Sequence, residues 1–145
     1  MDLTSDLAED LIHRGFESED VDFKKDFDNS SRSWVEIAKD VYGMANYGGG
    51  YIVIGVEDGS FEPVGVDPLF HIDTQIWFDK LSKWASGRLS ISYMEYMTKI
   101  GGVDRKFPIL QIRGSCGDFI VPKNDGQYQE NGTTKLAFKT GADGI

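Results

Sequence analysis

Residues 34–56 read as three joined pieces that few folds can accommodate. Trp34, Ile37, Ala38, Val41 and Ala45 recur at the spacing of one helical face, so residues 34–46 (WVEIAKDVYGMAN) predict an amphipathic helix. Ser33 is the expected N-cap, and Glu36 three residues on matches the capping-box spacing. Gly48, Gly49 and Gly50 then stop the helix. Tyr51–Val56 (YIVIGV) follows as an uncharged run of strand length, the pattern of a strand covered on both faces. A central strand with this helix packed directly over it is the expected frame.

The flanks supply the rest of an α+β domain. Leu3, Leu7, Leu11 and Ile12 give a helix over 3–14, with Thr4 or Ser5 as N-cap and Gly15 beyond its end. Val21 and Phe23 alternate with Asp22 and Lys24, which predicts a short strand. Residues 28–33 (DNSSRS) read as a loop, Asp58-Gly59 as a turn and 61–66 as a further extended segment. A second amphipathic helix is expected over 71–86, closed by Gly87. Strands follow near 89–100 and 107–113, with short extended pieces at 119–121 and 136–139. The expected architecture is a single mixed domain, a mostly antiparallel sheet flanked by helices. Trp34, Trp77 and Trp84 fall at core positions, and Tyr93, Tyr96 and Phe107 lie on strands.

Several function classes are disfavoured. The glycine triplet is no phosphate loop: GxxxxGK[ST] is absent, and the glycines follow a helix and precede a strand, the reverse of a strand–loop–helix order, so ATP binding is not expected. Cys116 is alone, which excludes an internal disulfide and a cysteine-based zinc site; it is expected to be an inert thiol near a turn. His13 and His71 have no motif around them. No apolar run reaches the roughly 20 residues that span a bilayer, and MDLTSDLAEDL lacks the basic and apolar regions of a signal peptide. A cytoplasmic protein with no membrane partner is the expectation. The net charge of −9 speaks against phosphate-driven binding, yet it is unevenly placed: residues 1–64 carry −10 and residues 65–145 carry +1. An acidic first half is what a carboxylate site or a solvated acidic surface would both produce.

Three ordered blocks resemble the AlbA_2 domain of Schlafen proteins, which also occurs in many bacterial proteins described as DNA-binding. ESEDVDFKK (17–25) is similar to the family's E-S-x-x-V-E-F-K block, and YGMANYGGGYIVIGVED (42–58) to its A-F-A-N-T-x-G-G block with the apolar strand and G-V-D-D that follow. PVGVD (63–67) resembles the return strand, and LAFKTGA (136–142) looks like the closing strand. Asp22 stands where the family has glutamate, Tyr47 where it has threonine and Lys139 where it has arginine. The whole chain, residues 1–145, is therefore read as one AlbA_2-like domain, with a longer parent protein left open.

The resemblance implies a site. In nuclease-active Schlafens this domain is an endoribonuclease acting on structured RNA such as tRNA, and its acidic positions fall here on Glu17, Asp22 and Asp58. Such a trio would bind Mg²⁺ or Mn²⁺, hard ions that take carboxylate oxygens. Asp22 and Lys24, two apart on a strand, point to one face, and Lys24 could orient water or offset developing phosphorane charge. Lys24 could equally be a surface residue paired with a neighbouring acid, and Asp58 a turn former. The functional alternatives are a metal-dependent endoribonuclease, a non-catalytic RNA- or DNA-binding regulatory module with RNA the better fit, and an oligomerisation domain. Vertebrate Schlafens build an RNA groove from two related lobes, so a single copy would need a homodimer or additional domains.

Overall fold

Thr4 starts the first helix by accepting the Leu7 N–H on its side-chain oxygen at 3.2 Å. The computed structural model describes residues 2–115, 120, 122 and 124–139. In order they form α1 (Ser5–Ile12), β1 (Val21–Lys24), α2 (Ser31–Asn46), β2 (Gly49–Ile54), α3 (Thr74–Ser82), β3 (Ile91–Ile100), β4 (Val103–Arg113), β5 (Gly126–Glu130) and β6 (Thr133–Phe138). Strands β1 to β4 make one sheet in the order β1-β2-β4-β3, and β5 and β6 a separate hairpin. Only β1 and β2 pair in parallel, so the fold is α+β with a mostly antiparallel sheet.

The apolar run of β2 becomes an inner strand because it has partners on both edges and helix on both faces. Ile52 and Ile54 pack with the stripe of α2, while Val53 and Val56 pack with Ala8, Leu11 and Ile12 of α1. Alternation along β1 sends Val21 and Phe23 to the α1 side and leaves Asp22 and Lys24 facing α2. Trp34, Trp77 and Trp84 are buried in the larger core, and Phe107 is fully buried in the smaller one.

Local chemistry moved several boundaries. Helix α2 starts at Ser31 with Ser30 as its cap, not Ser33: Ser30 Oγ accepts the Ser33 N–H at 3.1 Å. Asp28 accepts from Ser33 Oγ at 2.6 Å and from the Ser30 N–H at 3.0 Å, and these bonds hold its carboxyl down to about 2. Helix α3 is shorter than its periodicity predicts at both ends, stopping at Ser82; before its start Glu95 holds the Ile72 N–H at 2.9 Å and His71 Nδ1 at 2.8 Å. Residues 61–66 contribute only single bridges at Pro63 and Val66, with Phe61 left-handed at φ 57°. The hairpin β5–β6, absent from the sequence reading except for its last residues, turns at Asn131-Gly132, a type of dipeptide suited to that job. Cys116 and most of 119–121 lie outside the described residues.

Candidate functional site

Three backbone features set the acidic residues. The first is a tight turn in which Ser18 and Val21 exchange N–H···O bonds of 3.2 Å, folding Glu17 back beside β1. The second is close approach at Gly50, where a Cβ would stand 2.8 Å from the Asp20 carbonyl and push β1 off β2. The third is the turn after β2. Gly55 donates to the Lys24 carbonyl at 2.7 Å and accepts from the Val64 and Gly65 N–H groups at 2.8 Å each. A Cβ on Gly55 would come within 2.9 Å of Gly65, so glycine there lets the chain cross and carry Asp58 back toward β1.

The structure brings Glu17, Asp22 and Asp58 together. The Glu17 carboxyl lies within hydrogen-bonding reach of both aspartates. Lost hydration, then those hydrogen bonds and the like charges behind them, push it up to about 7. Near neutrality Glu17 thus carries a proton about half of the time, and when protonated it can donate where two carboxylates would repel. Asp22 Oδ2 is buried without a hydrogen bond of ordinary geometry and faces the Lys24 ammonium at 3.1 Å. Glu17 and Asp58 are exposed, so the cluster opens to solvent.

Lys24 stands between two acids, Asp22 at 3.1 Å and Asp40 of α2 at 2.7 Å. Burial alone would draw the ammonium down, but the pairs with Asp40 and Asp22 overcome this and hold it above the ordinary lysine value. Asp40 is the member that sequence reasoning missed. Its only signal was a place on the polar side of α2, which cannot say which strand residue lies opposite.

The donor set, three carboxylates, fits a hard cation in type, although the buried Asp22 Oδ2 already faces the Lys24 ammonium. The arrangement is that of a proton-sharing cluster: among the described residues no three His, Cys, Asp or Glu side chains stand gathered as ligands around one point. A cation would take the place of the Glu17 proton and require the carboxylates to turn.

Comparison with known proteins supports the fold. The family model described as Schlafen, AlbA_2 matches residues 17–133. No curated protein matches the chain. The crystal structure of the DIP2311 protein from Corynebacterium diphtheriae is similar at a TM-score of 0.50 and 11% identity, over 90% of this chain and 30% of that one. This chain therefore spans under a third of that protein's length, and the likeness is one of fold. No described helix is long and apolar enough to cross a membrane.

Proposed function

Since the chain belongs to the Schlafen AlbA_2 family, a nucleic-acid-related role is its family inheritance, and we propose that it is a divalent-metal-dependent endoribonuclease acting on structured RNA such as tRNA. The observation that carries this reading is the contact of Glu17 with its near neighbour Asp22 and with Asp58, which is distant in sequence. These three would hold Mg²⁺ or Mn²⁺, which when bound supplies an activated water and charge neutralisation at phosphate. The chain's own part is proton handling and placement. A carboxyl pushed up to about 7 gives up its proton readily near neutral pH, so Glu17 can open the cluster to the cation; the proton of the attacking water would then pass to solvent as the new P–O bond forms, and the leaving oxygen would take one from solvent as the ester P–O bond breaks. Lys24, fixed by Asp40, keeps Asp22 in place and offsets part of the charge.

Incubating the purified protein with total tRNA in Mn²⁺, Mg²⁺ or EDTA tests this. Discrete cleavage with either cation, abolished by EDTA, is expected. One observation favours a second reading, a non-catalytic nucleic-acid-binding module: the carboxylates are not gathered as ligands. Salt-sensitive RNA binding with no cleavage under any condition would decide for that module.

A further inference from the structure

Most glycines near the site have a visible reason, such as the close approaches at Gly50 and Gly55. Gly43 has none. It lies in the last turn of α2, where glycine is the poorest helix former after proline, and a Cβ there would meet nothing within 4 Å. Four residues on stands Tyr47, the helix C-cap, with 89% of its surface exposed. The spacing places the two one turn apart on the same helix face, an aromatic ring beside a bare stretch of backbone. Gly43, Tyr47 and Glu19 together line a cavity of about 310 Å³. Glu19 lies in the tight turn between Ser18 and Val21, two residues along the chain from Glu17.

We propose that Tyr47 and Gly43 form a slot for one unpaired nucleobase of an RNA strand, guanine in preference to the others. The base stacks on the Tyr47 ring, the missing side chain at Gly43 gives it room against the helix, and Glu19 accepts from its N–H edge. Guanine is the base that presents two adjacent N–H donors, N1–H and the exocyclic amine, to the two oxygens of a carboxylate. Charge sets a condition on this mode of recognition: the base enters while its flanking phosphates lie away from the acids. With Glu17, Glu19, Asp20 and Asp22 close in sequence, phosphate is a poor handle, and the π-face of the base on Tyr47 must supply the attraction. The slot rests on the reading that this domain engages RNA, and it assigns the substrate's anchor.

The test measures binding of the full chain in EDTA, so that cleavage plays no part. The probes are fluorescently labelled single-stranded oligouridylates carrying one central guanosine, inosine or adenosine. Tyr47→Ala is expected to weaken guanosine binding about tenfold or more, while Tyr47→Trp retains it. Gly43→Leu should weaken it similarly while melting no lower than wild type, since the added side chain enters open space. Glu19→Gln should remove the preference for guanosine over inosine, which lacks the exocyclic amine. Wild-type affinity in both Tyr47→Ala and Gly43→Leu, with RNA still bound, would overturn the slot and leave the RNA reading intact. Failure of the wild type to bind these oligonucleotides or tRNA would overturn both. Loss of self-association in the two variants, with RNA binding unchanged, would make the patch a protein contact and likewise overturn the slot.

Discussion

Glu17 titrates in the folded chain at about 7, above the 4.5 of an unperturbed glutamate. Between those values the folded protein keeps a proton that the unfolded chain has released. This contribution to stability is complete below about pH 4.5 and disappears as pH rises through about 7. Glu17→Gln cannot titrate, so thermal scans should show wild type losing melting temperature relative to the variant across that window. Parallel curves would mean the cluster shares no proton. Adding Mn²⁺ near pH 8 should restore wild type and leave the variant less affected, because metal and proton compete for the same oxygens. Asp22→Asn is the complementary change. Lys24 keeps Asp40 at 2.7 Å, so the substitution leaves no cation stranded, and losing the Asp22 pair should cost about 1 kcal/mol while the fold holds. tRNA cleavage should vanish, and RNA binding should persist or tighten as a negative charge is removed. Equal cleavage by both proteins would point to a contaminating nuclease.

Element by element, burial was legible wherever one periodic pattern had one partner surface. The stripe of α2 and the run of β2 dictated each other, and Ile54 is fully buried where they meet. Ile54→Asp should therefore cost roughly 3 kcal/mol or more, read by chemical denaturation, since it places an unpaired charge in that core. A soluble variant with wild-type midpoint would show the strand to be uncovered. What stayed hidden was set by groups with several candidate partners. Ser30 and Ser33 are both good caps, and the choice fell to Asp28, which binds both. The stretch before α3 is held by Glu95, more than twenty residues away in sequence. The acids of the site could be named from the resemblance, but Asp40 needed the packing of α2 against β1 to be found.

At the scale of the whole molecule, the small hairpin is tied to the sheet and its helices through α2. Hairpin β5–β6 lies on α2: Arg32 pairs with Glu130 at 2.5 Å, and Phe138 meets Tyr42 and Trp84 at ring distances of 5.9 and 6.0 Å. Phe138→Ala should lower stability by about 1–2 kcal/mol, the scale for a half-buried aromatic, and unfolding should remain a single transition by circular dichroism and tryptophan fluorescence. Two separated transitions would show the hairpin to be an independent unit. The sheet order has a further consequence, for synthesis. Strand β2 receives β1 from the chain already made, but its other neighbour, β4, begins only at Val103. At about 5–20 residues per second, the ribosome needs several seconds to deliver it after Ile54 has emerged. Throughout that wait one edge of the most apolar strand stays open to foreign chains, and the nascent protein is then most in need of a chaperone.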